Sequence, residues 1–280
     1  MDLGIVVRPL SSRAEFEIAE GVQASAWGVG DRGVTPKEVL IAIHDNGGLV
    51  LGAFDRNSMV GYALMMPGYN GKEVYMYSHQ TGVRKEYQSK GVGYLLKRKQ
   101  REVALKRGFK MIAWTFDPMI GRNAHFNMKK LGIVARNYMV DYYGPMNDSI
   151  NWGLPTDRVL CEWFLETSTQ RRIRASTKKV TRETFRVIDR TGAEPYPKCK
   201  DWRIDLSVDK ALLDIPRDIV ALKKKDLDEG KRWREATRDA FQRYFGAGFT
   251  AVALIEEKGE LRYLLSKPEL PENPFGHGHA

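Results

Sequence analysis

Glycines and basic residues cluster at one point of the chain, in the segment 79–94. Gly91 and Gly93 stand close to basic residues that include Arg84 and Lys90. Glycine lets a backbone approach a bound phosphate because it has no Cβ. Basic side chains add charge-assisted hydrogen bonds to such an anion. These residue types therefore predict a site for a phosphorylated ligand.

Two regular elements flank this segment and position it. The run 73–83 has the residue types of a strand, and apolar spacing predicts a helix over 92–107. A strand that leads through a short loop to a helix N-terminus presents backbone N–H groups and the positive end of the helix dipole. This arrangement supports the prediction of anion binding. We expect the helix to expose its basic residues, Lys97, Arg98 and Arg101.

Length and composition narrow the class of protein. The chain has 280 residues and a net charge of +10, which suggests two domains or one domain with a large extension. The positive charge fits a nucleic acid, an acidic partner, a polyanionic cofactor or ordinary solubility. The only cysteines, Cys161 and Cys199, lack metal-ligand spacing, so we expect no metal site and no disulfide framework. Without a long apolar run or a basic apolar leader, we expect a cytoplasmic protein that contacts no membrane.

Turn residues and apolar spacing predict the element order β-α-α-β-β-β-α-β-α-β over residues 1–145. Ser12 and Glu15 have the spacing of a capping box at the first helix. Thr35 is predicted to cap the second helix, which Pro36 would begin. A helix over 122–131 would precede the last strand of this half.

The rest of the chain reads as a smaller α/β domain over 156–270, with a flexible tail over 271–280. The turn-rich segment 145–155 is the predicted boundary. We expect a loop over 168–179 and a helix over 226–245. The predicted strands are 158–165, 183–189, 202–208, 249–255 and 261–265.

The pattern Gln88-x-x-Gly91-x-Gly93, after a strand that ends at Val83, resembles the coenzyme A pyrophosphate loop of the GNAT acetyltransferase superfamily. The element order and the Lys130-Leu131-Gly132 turn resemble that family too. The whole chain is similar to two-part GNAT-like proteins. The resemblance implies an α/β fold with a mixed, mostly antiparallel sheet flanked by helices. Its fourth and fifth strands would splay apart to admit the pantetheine arm.

The resemblance also implies acetyl-CoA, or another acyl-CoA, as co-substrate. A backbone N–H at the end of the fourth strand, at Val83 or its neighbours, would polarise the thioester. Asn123 would bind the cofactor arm, although an N-capping role for it is an alternative. The residues predicted to hold the cofactor are Val83, Arg84, Gln88, Ser89, Lys90, Gly91, Val92, Gly93, Tyr94 and Asn123.

Acyl transfer to an amine needs a group that removes a proton, because only the neutral amine attacks. In some GNAT proteins a carboxylate does this, and its position falls near Tyr77. His79 is the nearest side chain that titrates near neutral pH, and Glu73 lies further back on the strand. His79, Glu73 and Tyr77 are therefore the catalytic candidates, with a structural or substrate-positioning role as the alternative for His79.

A general acid is harder to assign. The tyrosine that many GNAT proteins carry falls at Met128, so either another group protonates the thiolate or it leaves unprotonated. His125, Tyr138 and Tyr142 are the substitutes considered, each with a structural alternative. We expect the acceptor pocket near Trp114, Asp117 and the Arg122–Asn123 pair.

These observations predict an N-acyltransferase that passes an acetyl group directly from acetyl-CoA to an amine in a ternary complex. The sequence does not identify the acceptor and leaves a homodimer open. One alternative is a non-catalytic protein that binds or senses acyl-CoA. Another is a nucleic-acid-associated protein. We do not expect a nucleic acid as partner, because the basic run 171–190 has a single aromatic residue for stacking, Phe185.

Overall fold

The computed structural model describes residues 4–276, except for 29–32, 147, 149, 179 and 182. The chain forms two compact units, residues 1–114 and 115–280. Each unit combines mostly antiparallel strands with helices. The predicted mixed, mostly antiparallel α/β architecture is therefore confirmed. The domain boundary at 145–155 stays a prediction.

The first unit follows the predicted order of elements. They are β1 Ile5–Pro9, α1 Arg13–Trp27, α2 Lys37–Asp45, β2 Leu49–Asp55, β3 Ser58–Tyr69, β4 Val74–Val83, α3 Val92–Lys106 and β5 Met111–Phe116, the last of which contains the boundary between the units. The strands are ordered β1-β2-β3-β4-β5. All neighbours are antiparallel except β4 and β5, which run parallel.

One apolar core holds α1 and α2 against the sheet. Phe16 and Val22 of α1 and Leu40 of α2 pack with Tyr62 and Leu64 of β3, and all five are buried. Alternate residues of a strand face the same side. Tyr62 and Leu64, two positions apart on β3, therefore lie on the face that α1 and α2 cover.

Helix α1 begins with a shifted form of the predicted capping box. The Ser12 hydroxyl accepts a hydrogen bond from the Glu15 N–H at 3.4 Å, as expected. The Glu15 carboxylate, however, accepts from the N–H of Ser11 at 2.8 Å and from Arg8 at 2.6 Å. The Arg8 hydrogen bond is the main reason that the pKa of Glu15 falls to about 2. This ion pair joins β1 to the start of α1.

The prediction that Thr35 caps α2 is wrong. The residue before α2 is Pro36, and no side chain caps the helix there. The Thr35 hydroxyl instead donates to Gln80 Oε1 of β4 at 3.1 Å. The Thr35 backbone is held by Gln23 of α1, which accepts its N–H at 2.7 Å and donates to its carbonyl at 3.1 Å. The segment before α2 is therefore fastened to α1 and β4.

The second unit has more elements than the sequence predicts. They are α4 Gly121–Ala124, a π-helical turn His125–Leu131, β6 Val134–Met139, β7 Arg158–Phe164, α5 Thr167–Ser176, β8 Phe185–Arg186, β9 Ile188–Thr191, β10 Lys198–Trp202, β11 Lys210–Ile215, α6 Ile219–Lys225, α7 Leu227–Gly246, β12 Thr250–Glu257 and β13 Glu260–Ser266. Six strands are ordered β7-β6-β12-β13-β11-β8, and β9 pairs with β10. The predicted single helix over 122–131 is a short α-helix continued by the π-helical turn.

Two predictions in this unit are wrong. The expected loop over 168–179 is mostly helix α5, which buries Thr169 and Ile173 on one side. The expected strand over 202–208 is a turn, because the Asp205 carboxylate accepts hydrogen bonds from the N–H and hydroxyl of Ser207. The strand in this region lies earlier, at β10. The sequence reading also missed β11 and α6.

The long helix α7 begins where the sequence predicts. The Asp226 carboxylate accepts from the Glu229 N–H at 3.0 Å and caps it. A Cβ on Gly230 would lie 2.8 Å from Cβ of Lys223. Glycine at this position is therefore explained by the close approach of α6.

The C-terminal segment makes specific contacts before its end. Asn273 donates to Asn137 at 2.8 Å, and Phe275 is buried. The mobility of the tail over 271–280 stays a prediction, and positions 277–280 lie outside the described residues.

Candidate functional site

The segment between β4 and α3 is a tight turn that ends in a glycine. Lys85–Tyr87 form one turn of 3₁₀-helix, and Gly91 precedes α3 with φ of 92°. A Cβ on Gly91 would meet no atom within 4 Å. The backbone here therefore faces open space, and the positive φ alone favours glycine. We call residues 84–94 the anion cradle.

The N-terminus of α3 supplies the partial positive charge of this cradle. The N–H groups of Tyr94 and Leu95 donate to the Gly91 carbonyl at 3.0 and 3.1 Å. The amides before them, at Val92 and Gly93, belong to the first turn, whose N–H groups have no partner inside a helix. The first turn contains no acidic residue that would offset the helix dipole. The geometry suits an anionic group such as a phosphate.

Two polar side chains brace the cradle. Gln88 Nε2 donates to the Val83 carbonyl at 3.0 Å, and Arg84 Nε donates to the Met59 carbonyl at 2.9 Å. Lys90 Nζ lies 5.3 Å from the centre of the Tyr87 ring. The Gln88 and Arg84 side chains thus fix the turn against β4 and the start of β3. If these two residues help to bind a cofactor as predicted, their side chains would do so by holding the backbone of the turn in place.

Strands β4 and β5 are paired at one end only. Their register pairs are Met76 with Ile112 and Tyr77 with Ala113. Beyond them β4 continues to Val83 with no further register pair to β5, although both strands are fully described. The two strands therefore separate toward their C-terminal ends. This gap leaves backbone groups for an extended ligand to pair with, and the anion cradle begins where β4 ends.

A buried polar cluster lies where the gap opens. Lys97 Nζ of α3 donates to Ser78 Oγ of β4 at 2.8 Å and lies 3.8 Å from the centre of the Trp114 ring of β5. Ser78 Oγ donates to Gln100 Oε1 at 2.9 Å. Lys97 is only 4% exposed, so the prediction that it faces solvent is wrong. We call Ser78, Lys97, Gln100 and Trp114 the Lys97 cluster.

The helical spacing explains this error. Gly93, Lys97, Gln100 and Ala104 follow one another at intervals of four, three and four residues, so they share one side of α3. Gln100 and Ala104 on this side are fully buried. The sequence analysis predicted that Lys97 faces solvent because it is charged. Its position on the same side of α3 as Gln100 and Ala104 was the better indication.

His79 is placed close to Tyr77 on β4. Their rings lie 6.1 Å apart, and the His79 side chain is exposed at the surface. Neighbouring protein atoms still desolvate the imidazole in part, and this lowers the pKa of His79. A neutral imidazole is the form that accepts a proton. The structure thus brings together His79 and Tyr77, two of the three catalytic candidates.

Glu73, the third candidate, lies just before β4 in the turn from β3. Its N–H donates to Asn70 Oδ1 at 2.9 Å. Six residues of strand separate it from His79, which corresponds to about 20 Å. Glu73 and His79 therefore lie too far apart to act on the same proton.

The candidates in the second unit have other contacts. Asn123 is the third residue of α4, whose N-cap is Ile120, so its alternative capping role is wrong. Tyr138 is buried and donates to Asp157 at 2.6 Å, and burial raises its pKa well above the ordinary value. His125 Nε2 lies 3.8 Å from Glu256. Met128 is buried.

Asp117, expected near the acceptor pocket, is part of a buried ion pair. Arg234 of α7 donates to both of its carboxylate oxygens, at 3.0 and 2.5 Å. The Met119 N–H donates to it at 2.9 Å, and Arg158 Nη1 lies 3.7 Å away. These contacts tie the segment after β5 to α7 and give Asp117 a structural role.

Two further properties concern the described residues alone. They contain no group of three or more His, Cys, Asp or Glu side chains that is arranged to hold a metal ion. None of their helices is both long enough and apolar enough to cross a membrane.

A comparison with protein families identifies this region. Residues 20–132 match the model of the acetyltransferase (GNAT) family. We call residues 20–132 the GNAT-matching segment. The match includes the anion cradle, the β4–β5 gap and the Lys97 cluster. The resemblance drawn from Gln88, Gly91 and Gly93 is thereby confirmed for these residues.

Solved structures similar to the chain include several acetyltransferases. The ribosomal-protein-S18-alanine N-acetyltransferase from Escherichia coli has 13% identity and a TM-score of 0.48, over 58% of this chain and 95% of that one. An N-acetyltransferase from Staphylococcus aureus Mu50 has 11% identity and a TM-score of 0.48, over 58% and 99%. A GNAT family acetyltransferase from Elizabethkingia anophelis, with acetyl-CoA bound, has 17% identity and a TM-score of 0.44, over 59% and 99%. No curated protein matches the chain in sequence.

The GNAT-matching segment contains the residues predicted to bind the cofactor and the three candidates for the catalytic base. The cradle residues and His79 lie at the C-terminal half of β4 and the start of α3. The buried hydrogen bonds of Ser78, Lys97 and Gln100 were not predicted, because serine, lysine and glutamine carry no motif by themselves. The sequence pattern that could have indicated them is the presence of polar residues on a side of α3 and a face of β4 that otherwise point to the core.

Proposed function

We propose that the chain is an acyl-CoA-dependent N-acyltransferase, which passes an acetyl or another acyl group to the amine of a small molecule or peptide. The observation that carries this proposal is the gap between β4 and β5, which leads along β4 to an anion cradle inside the GNAT-matching segment. A thioester arm in the gap and a pyrophosphate at the α3 N-terminus account for both features.

The reaction would proceed by direct attack. The amine nitrogen forms a bond to the thioester carbonyl carbon, and the carbon–sulfur bond then breaks so that the electron pair leaves with sulfur. His79 takes the proton that the amine loses, since its lowered pKa keeps it neutral near neutral pH. A backbone N–H at the end of β4, near Val83, would donate to the carbonyl oxygen as it gains charge.

A second candidate is a protein that binds acyl-CoA without turnover. Two observations favour it. Position 77 is a tyrosine, where some GNAT proteins carry a carboxylate that acts as the general base. Position 128 is a methionine, where many carry a tyrosine that acts as the general acid. Such a protein would keep the cradle and the gap but would release no coenzyme A.

The experiment that separates the two candidates measures thiol release from acetyl-CoA in the presence of a panel of amines. We expect coenzyme A release that depends on one class of amine and gives the acylated amine in equal amount by mass spectrometry. Binding of acetyl-CoA without amine-dependent release would support the sensor. The absence of both binding and release would overturn both candidates.

A further inference from the structure

Strand β4 has a β-bulge close to His79. Leu64 of β3 lies opposite Gln80, and Met66 lies opposite Tyr77, so two steps along β3 correspond to three steps along β4. The extra residue of β4 interrupts the regular alternation of its side chains between the two faces of the sheet. Two neighbouring residues of β4 can therefore point to the same face at this bulge.

His79 and Gln80 are the neighbours that share a face. Tyr77 and His79 flank Ser78, which bonds to α3, so alternation places their rings on the opposite face, 6.1 Å apart. Gln80 contacts Tyr62, which lies on the face that α1 and α2 cover. Helix α3 lies on the other face of the sheet. The imidazole and the Gln80 amide thus both lie on the face away from α3.

Two hydroxyl groups hold the Gln80 amide in one orientation. Tyr62 and Thr35 both donate to Gln80 Oε1, and the Thr35 distance is 3.1 Å. Tyr62 is fully buried, and burial raises its pKa, so its hydroxyl keeps the proton that it donates. The Thr35 backbone is fixed in turn by Gln23. Because the amide oxygen faces these two donors, the Nε2 group of Gln80 faces away from them.

The Nε2 group of Gln80 is an oriented donor that has no acceptor within the described part of the chain. The side chain is partly exposed, so a ligand can reach it. Along β4 it lies between His79, the proposed base, and Val83, near which the thioester oxygen is proposed to bind. A ligand that extends from the reacting amine over this face of β4 would meet the Gln80 donor.

We propose that the Gln80 amide selects acceptors that carry a carbonyl oxygen next to the carbon of the reacting amine, as amino-acid amides and peptide N-termini do. The inference rests on the proposed function and narrows its acceptor. Gln80 Nε2 donates to the carbonyl oxygen while His79 takes the proton of the amine. A carbonyl oxygen only accepts hydrogen bonds, which suits an amide whose own oxygen already has two donors. Simple alkylamines cannot form this hydrogen bond.

The test compares leucinamide with isopentylamine, which has hydrogen in place of the carboxamide group. Thiol release from acetyl-CoA gives kcat/KM for each amine in wild type, Gln80→Glu and Gln80→Met. Glutamate can accept from Tyr62 and Thr35 as glutamine does, but an ionised carboxylate has no proton to donate. We expect the ratio of kcat/KM for leucinamide to that for isopentylamine to fall about five- to tenfold in both variants, as one hydrogen bond is lost. The different basicities of the two amines cancel, because the same pair is compared in every protein.

Calorimetric titration with acetyl-CoA separates this role from a structural one. Gln80→Glu should bind acetyl-CoA within about twofold of the wild-type affinity, because Gln80 lies on the face away from α3. A ratio that both variants leave unchanged would overturn this inference and leave the proposed function intact. The same holds if Gln80→Glu acylates both amines better than wild type, since the residue would then accept from the amine.

The wild type alone provides a further check. Acylation of isopentylamine or of another amine without acylation of leucinamide would overturn the inference, while the proposed function would stand. If the wild type acylates no amine at all, the proposed function fails as well.

Discussion

Replacing His79 with alanine is expected to lower kcat of the proposed acyl transfer by about a hundredfold or more. The loss follows because the attacking amine would have no side chain to take its proton. KM for acetyl-CoA should change little, since the anion cradle is unaltered. The measurement is steady-state thiol release at saturating amine, with His79→Gln beside it to keep a polar side chain that cannot take the proton.

The role of His79 as base also predicts the direction in which the rate changes with pH. Partial desolvation lowers the pKa of His79, so the neutral base persists to more acidic pH than an ordinary histidine allows. We expect kcat/KM to be level above that pKa and to fall as pH drops through it. Tyr77→Phe, which changes the neighbouring ring, should leave this profile in place. Full activity in both His79 variants would show that another group or a water chain removes the proton.

Replacing Arg234 with methionine is expected to reduce the free energy of unfolding by about 3–5 kcal/mol. The Arg234 side chain is 4% exposed and the Asp117 side chain 10%, and the substitution leaves the carboxylate buried without its bidentate partner. The free energy is measured by urea denaturation. The double variant Asp117→Asn with Arg234→Met should recover part of the loss, because it removes the uncompensated charge.

Helix α7 provides a matched control for this prediction. Arg243 pairs with Asp239 one helical turn away at 2.8 Å, but its side chain is 62% exposed. Arg243→Met should therefore change the free energy of unfolding by less than about 0.5 kcal/mol. Equal effects of the two arginine substitutions would contradict the structural role assigned to the buried pair.

The sequence predicted the part of the fold that local signals govern. The loop from Val83 to Gly93 was recognised because glycines, a strand and a helix start come in a fixed order. The start of α7 followed from Asp226 and the spacing of its apolar residues. The structure has both elements near the predicted positions.

Errors arose where a contact distant in sequence decides the structure. Thr35 has the right place for a helix cap, but its hydroxyl bonds to Gln80, 45 residues away. Lys97 looked like a solvent-facing charge, yet Ser78 of β4 holds it in the core. Asp117 looked like a pocket residue until Arg234, 117 residues further on, proved to be its partner. Local sequence patterns cannot indicate these contacts, because the two partners are far apart in the chain.

Whether the anion cradle binds acyl-coenzyme A is decided by calorimetric titration of acetyl-CoA into wild type, Gly91→Trp and Gly71→Trp. The two glycines have nearly the same φ, 92° and 91°, and each faces open space, so the two substitutions impose the same backbone strain. Gly71 lies in the turn before β4, away from the cradle. We expect wild type and Gly71→Trp to bind with similar micromolar affinity, and Gly91→Trp to bind at least about a hundredfold more weakly, a loss of about 2.7 kcal/mol. A wild type that does not bind acetyl-CoA or longer acyl-CoA, or a Gly91→Trp variant that binds as wild type does, would contradict the assignment of the cradle.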